Sequence, residues 1–159
     1  HRSPKPHELP DFDEFGFNYR MTDLQGAVGL EQLKKLEGFI EERSKWAQWY
    51  RDELDVLGWL HCPQEPQEGR HSWQSFVTWV ERDAPLTRNE LMDRLHEKGI
   101  STRSGTHAVT DLGAYQDFNL ECPAATECAE QTMAIPLHNQ MSEPDYVRVV
   151  NEIRQIGGM

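Results

Sequence analysis

Lysine is scarce in this chain of 159 residues: there are only Lys5, Lys34, Lys35, Lys45 and Lys98. The first sits in a proline-rich entry and the others on polar helix faces or near a helix end. None has the apolar, desolvated setting that activates a Schiff-base lysine. Basic residues as a group are outnumbered, 16 Lys and Arg against 27 Asp and Glu, for a net charge of -11. That balance argues against non-specific nucleic-acid binding and against an anionic membrane surface. No apolar run approaches the roughly 20 residues of a transmembrane helix, and the start has no signal-peptide core. Three cysteines, Cys62, Cys122 and Cys128, cannot all pair. Their spacing fits neither a disulfide framework nor a CxxC metal knuckle, so reduced thiols in the cytoplasm are expected. There is no G-x-G-x-x-G, Walker loop, H-E-x-x-H or G-x-S-x-G. The initial residue is His1, not methionine, which points to removal of a segment or to a fragment.

What remains is enough for one α/β domain with a real core. Residues 1–14 hold three prolines and few apolar groups and read as an extended arm, followed by a loop to residue 21. Thr22-Asp23-Leu24-Gln25 has the capping-box pattern that opens a helix. Leu24, Ala27, Val28, Leu33, Leu36 and Ile40 follow at helical spacing, and the run continues to Leu57. That length exceeds a usual globular helix, so a bend is expected at Gly38. Gly26 and Gly29 weaken the helix and suggest close approach by another backbone. Gly58 closes it and a loop follows over 61–70. Residues 72–80, aromatic and β-branched, read as a strand.

Thr87 and Glu90 form a second capping box, with Leu91, Met92 and Leu95 facing inward and Gly99 ending the helix. Residues 100–103 are a short strand candidate, and 111–118 have room for a helical turn. Pro123 suits the first turn of another helix. Residues 133–138, interrupted by Pro136, fit an edge strand or a strand end. The last helix starts at Ser142, buries Tyr146, Val147, Val150, Ile153 and Ile156, and stops at Gly157-Gly158. The order α, β, α, β, β, α is that of a small layered α/β domain, with helices on a small sheet.

The histidines are scattered. His96 reads as an exposed helix residue, and His1, His7 and His61 as surface loop residues. His71, before a strand, fits a structural role as well as any other. His107, in Arg103-Ser104-Gly105-Thr106-His107, and His138, after Pro136, lie in loops at strand ends, where ligand-facing groups collect. Each alone is still better explained as structural.

Gly16-Phe17-Asn18-Tyr19-Arg20-Met21-Thr22-Asp23-Leu24-Gln25-Gly26-Ala27, with Leu30-Glu31-Gln32-Leu33, resembles a signature of the DegT/DnrJ/StrS-type sugar aminotransferases. In the same order come Lys98 to Arg103 with Gly105 to Val109, then Pro123 to Glu127, then Ile135-Pro136-Leu137-His138. The resemblance implies the C-terminal part of a fold-type-I aminotransferase, the small α/β domain over residues 22–159, with the large cofactor domain and its lysine elsewhere. It implies pyridoxal phosphate as cofactor, a nucleotide-linked keto sugar as substrate, glutamate as amino donor and a homodimer. It places Asn18 and Arg20 as cofactor-binding groups at the dimer interface, Asn18 reaching the phosphate of the other subunit. It makes His138, and more weakly His107, substrate-pocket residues, and assigns no catalytic residue and no metal to this chain. Many members carry a His-Tyr pair at Gly105-Thr106, and a histidine at Thr110. Alternatives are a non-catalytic dimerisation or binding module, or a regulatory member of the family.

Overall fold

In the computed structural model the described residues are 17, 19–113, 115 and 121–158. The entry arm, Asn18 and most of the segment expected to hold a turn at 111–118 lie outside them. The chain divides into two compact units, His1–Lys35 and Leu36–Met159.

In the first unit Thr22 starts the helix α1 (Asp23–Leu54). Its backbone N–H donates to Gln25 Oε1 at 3.0 Å, and Gln25 N–H donates to Thr22 Oγ1 at 3.3 Å. The reciprocal bonds satisfy two of the donors that a helix start leaves unpaired. Leu24, Val28, Leu30 and Leu33 are exposed. Gly29 has open space around it, and a Cβ on Gly26 would meet only the Met21 sulfur. The backbone neighbour expected at these glycines is therefore not found among the described residues.

The division into two helices expected at Gly38 is not found: α1 is one helix of 32 residues. A glycine weakens a helix by about 1 kcal/mol but keeps its N–H, so the hydrogen-bond ladder survives it. The C-terminal part of α1 more than offsets that cost by burying Trp46, Ala47, Tyr50 and Leu54. A 3₁₀ turn at Asp55–Leu57 follows, and Gly58 (φ 70°) takes the left-handed conformation that ends it.

The second unit is built on a four-stranded antiparallel sheet. Its strands are β1 (Leu60–His61), β2 (Phe76–Val80), β3 (Arg103–Ser104) and β4 (Thr132–Ile135), in the spatial order β1-β2-β4-β3. The two-residue β1 falls where a helix end and a loop were expected. Of the two readings of Pro136, an edge strand or a strand end, the structure has the second: β4 is an inner strand, pairing β2 at Phe76↔Ile135 and β3 at Arg103↔Ala134, and it ends just before the proline. The proline lies just past the last paired residue, so its missing N–H costs the ladder nothing.

Helices α2 (Arg88–Glu97), α3 (Pro123–Gln131) and α4 (Glu143–Ile156) complete the unit. Thr87 and Glu90 make the expected capping box, and Leu91 and Leu95 are buried. On α4 the buried stripe is Tyr146, Val149, Val150 and Ile153. This is i, i+3, i+4, i+7 spacing, so Val149 is inside and Val147, expected inside, is exposed. The core joins α1, α4 and the sheet through aromatic contacts. Trp46 stacks on Tyr146 at 4.1 Å between ring centroids, and Tyr50 sits 5.3 Å from Phe76 and 5.4 Å from Tyr146. Arg88 ties α2 to α3: Nε donates to Glu130 O and Nη2 to Ala129 O, at 2.9 and 2.7 Å. A guanidinium there neutralises the negative end of α3. Among the described residues no helix is long and apolar enough to cross a membrane.

Candidate functional site

The end of α2 shapes the first wall of a cleft in the second unit. Gly99 N–H donates to His96 O at 2.8 Å, and Ile100 N–H to Leu95 O at 2.9 Å. This is a Schellman closure, made possible by Gly99 at φ 73°. It buries Ile100 and carries Ser101, Thr102 and Arg103 along the cleft toward β3. The opposite wall begins where β4 ends and Pro136 stops the ladder. The loop from Pro136 to Met141, together with Arg43 of α1 and Arg148 of α4, encloses about 700 Å³. That is the size of a small-molecule site.

The loop carrying His138 is held from two helices. Tyr50 OH donates to Pro136 O at 2.9 Å, and Tyr146 OH to His138 O at 3.2 Å. Asn139 Nδ2 donates to Phe39 O at 3.0 Å and to Glu42 Oε2 at 2.9 Å, while its Oδ1 accepts from Arg43 Nε at 2.8 Å. Both hydroxyls stay protonated across the ordinary pH range. Burial pushes Tyr50 up, with Tyr146 and Asp145 adding to it. Burial, then Glu42, pushes Tyr146 up to about 12. His138 itself is exposed and lines the cleft. Its Nδ1 accepts from Gln140 N–H at 3.3 Å, so a neutral ring carries its proton on Nε2.

The cleft is cationic although the chain is acidic. Three arginines, Arg43, Arg103 and Arg148, line it with one carboxylate, Asp145. Asp145 caps α4, accepting from Ser142 N–H at 2.8 Å and from Ser142 Oγ at 2.6 Å, and these bonds hold it below its ordinary carboxylate range. Arg148 donates to Lys98 O. Guanidinium groups with one committed carboxylate among them suit an anionic ligand.

Of the residues singled out from sequence, the structure brings His138 into this cleft. His107 is exposed in the loop after β3 and does not line it. Arg20 is exposed in the first unit, where it shares a shallow depression with Tyr19, Met21 and Gln25. Asn18 is outside the described residues. The remaining described histidines have local explanations or lie on the surface. His61 Nε2 is 2.8 Å from Glu81 Oε1, His71 Nδ1 accepts from Trp73 N–H at 2.9 Å, and His96 is exposed. Arg43 and Asn139 were not foreseen: one looks like an ordinary polar helix position, and the other like a loop residue. Among the described residues no cluster of His, Cys, Asp and Glu could hold a metal.

The fold around this cleft recurs in known proteins. The chain is 28% identical over 147 residues to GDP-perosamine synthase of Caulobacter vibrioides, a match covering 91% of this chain and 40% of that one. Among solved structures it resembles the aminotransferase TlmJ from Streptoalloteichus hindustanus, with a TM-score of 0.79 and 25% identity over 92% of this chain and 39% of that chain. It shares the fold of Helicobacter pylori PseC, an aminotransferase involved in the biosynthesis of pseudoaminic acid. There the TM-score is 0.81 and the identity 18%, over 94% of this chain and 42% of that chain. The chain thus spans about two fifths of the length of the relatives it matches. A match to the family's model runs over residues 3–154, from the entry arm to the last helix, and the chain belongs to the DegT/DnrJ/EryC1/StrS aminotransferase family.

Proposed function

We propose that this chain is the C-terminal part of a pyridoxal-phosphate-dependent aminotransferase that moves an amino group from glutamate to a nucleotide-linked keto sugar. The observation that carries this reading is the family match over nearly the whole chain, and the cationic cleft around His138 supports it. Pyridoxal phosphate, when bound, supplies the carbonyl group that takes up and hands on the amino group. The residues of this chain fit one end of that cofactor. Lys34, Lys35, Lys45 and Lys98 are all exposed, so none has the desolvated surroundings that would activate it for covalent attachment. The exposed guanidinium of Arg20 suits the phosphate end, and the amide of Asn18 is the second donor assigned there, across a homodimer interface. His138 is the group assigned to orient the sugar, on a loop fixed by Tyr50, Tyr146 and Asn139.

The test is made on the full-length enzyme. Asn18→Ala should leave the fold intact and weaken cofactor retention, read as cofactor absorbance surviving gel filtration. His138→Ala should raise KM for the sugar nucleotide more than it changes KM for glutamate. Unchanged retention and unchanged KM values would overturn these assignments. Transamination by the 159-residue chain alone would overturn the division of labour between its two parts.

A further inference from the structure

Arg43 has a setting that its sequence position does not advertise. It lies on α1, half-buried, and lines the cleft. Its Nε–H is spent on Asn139 Oδ1 at 2.8 Å. Asn139 is itself fixed by donating to Phe39 O and Glu42 Oε2, so the amide cannot rotate without losing three hydrogen bonds. The guanidinium plane is therefore set from behind. Among the described residues no carboxylate lies within ion-pair distance of Arg43 or of Arg103. In a chain with 27 carboxylates and 16 Lys and Arg, two arginines on one cleft without an acidic partner are a standing demand for an anion from outside. A guanidinium held at Nε keeps its two Nη groups as a fork that matches the spacing of two oxyanion oxygens.

We propose that Arg43, aimed by Asn139, is an oxyanion-binding residue of this cleft, and that its ligand is the diphosphate group of the sugar carrier. The assignment rests on the nucleotide-sugar reading given above. Charge decides between the two anions which that reading supplies. Three arginines against one cap-bound carboxylate leave an excess suited to a diphosphate more than to the side-chain carboxylate of an amino donor. Asn139 is a positioning residue: one side chain fixes the guanidinium through Oδ1, and it follows His138 directly in the loop. The arginine and the histidine are thereby held in one frame.

The experiment titrates the isotopically labelled full-length enzyme with inorganic pyrophosphate, following the Arg43 Nε–H and His138 ring resonances by NMR. Both should shift, and the Nε–H should exchange slowly with solvent before any ligand is added. Arg43→Gln should weaken pyrophosphate binding at least about tenfold, the effect of losing a hydrogen bond to a charged group. Asn139→Ala, which keeps the guanidinium but releases it, should weaken binding by about threefold to tenfold and abolish the slow exchange. Arg70→Gln, which removes a charge paired with Glu37 outside the cleft, should change nothing. Pyrophosphate binding that perturbs His138 but is unaffected by Arg43→Gln and Asn139→Ala would overturn the role of Arg43 and leave the cleft reading standing. Absence of any shift at either Arg43 or His138 in the unsubstituted enzyme would overturn the cleft reading itself. Tighter binding of glutarate than of pyrophosphate would overturn the diphosphate assignment.

Discussion

Gly105 is the position where a single methyl group should do the most damage. A Cβ built there would lie 2.5 Å from Thr132 Oγ1 and 2.5 Å from Val77 Cγ1, with Thr132 Cβ at 2.7 Å. Both neighbours are β-branched residues on inner strands, so neither can swing aside through a cheap rotamer change. Thr132 is further tied by its hydroxyl, which donates to Cys128 O at 2.6 Å. Relief requires either a backbone shift of the loop, which would stretch the Gly105 N–H bond to Thr132 O, or loss of the threonine bond. Overpacking of this kind, with one hydrogen bond lost, should cost Gly105→Ala about 2–4 kcal/mol. For a chain of this length that is a fall in Tm of about 5–15 °C. Urea unfolding followed by tryptophan fluorescence would show a lower midpoint at unchanged slope. Gly38→Ala is the internal control. It has nothing within 4 Å of its would-be Cβ and sits in a helix, so it should gain about 0.5–1 kcal/mol. A loss below about 0.5 kcal/mol for Gly105→Ala would refute the claim that Thr132 and Val77 are held rigidly. The same contacts explain why this chain cannot carry at Gly105 the histidine of its family resemblance without changing Thr132 or Val77 as well.

Tyr50→Phe deletes the donor to Pro136 O and should cost about 1–2 kcal/mol in urea unfolding, because the carbonyl is left under-satisfied; an unchanged midpoint would show that water replaces the hydroxyl freely. The same two tyrosines predict alkaline sensitivity. The folded state holds their protons above the ordinary value of 10.0, Tyr146 to about 12, so the unfolded chain ionises first. Stability should therefore fall as pH rises from about 10 toward 12. Tyr146→Phe should flatten that fall in a pH series of melting curves. Glu90 and Asp145 act in the opposite direction. Cap bonds to Thr87 and Ser142 lower both carboxyls below their ordinary values. Their contribution is present above those values and is lost as pH falls through the lowered ones. Glu90→Gln with Asp145→Asn should remove part of the loss of stability seen below about pH 4; an unchanged acid limb would rule the caps out as its source.

How far the chain could be read without its structure depended on whether a feature was local. Both ends of α2 were legible because Thr87, Glu90 and Gly99 each act within one helical turn of themselves. β1 was not, because Leu60 and His61 become a strand only by pairing with Val80 and Trp79. Pro136 left two readings open, an edge strand or a strand end, and only the pairing of β4 on both sides decides for the end of an inner strand. Gly38 misled because helix propensity alone weighs against it, while the burial of Trp46 and Tyr50 downstream decides. In the site, His138 came through family resemblance. Arg43 and Asn139 could not be found that way, since what distinguishes them is a contact across 96 residues of sequence.

The strand order has a consequence for how the chain must fold. β4 is the last strand to be made, yet it occupies the interior of the sheet between β2 and β3. Among the described residues, without it β2 has only the two-residue β1 beside it, and β3 has no partner strand. Thr78 cannot find its acceptor until Met133 arrives, 55 residues later. Such non-local closure is intrinsically slow, because the loop entropy is lost before any contact compensates for it. During synthesis the sheet therefore waits, with Phe76 and Val80 uncovered, for the segment that also delivers His138. Sheet closure and assembly of the cleft wall should be one kinetic event, and a chain stopped before Thr132 should expose an open, aggregation-prone strand.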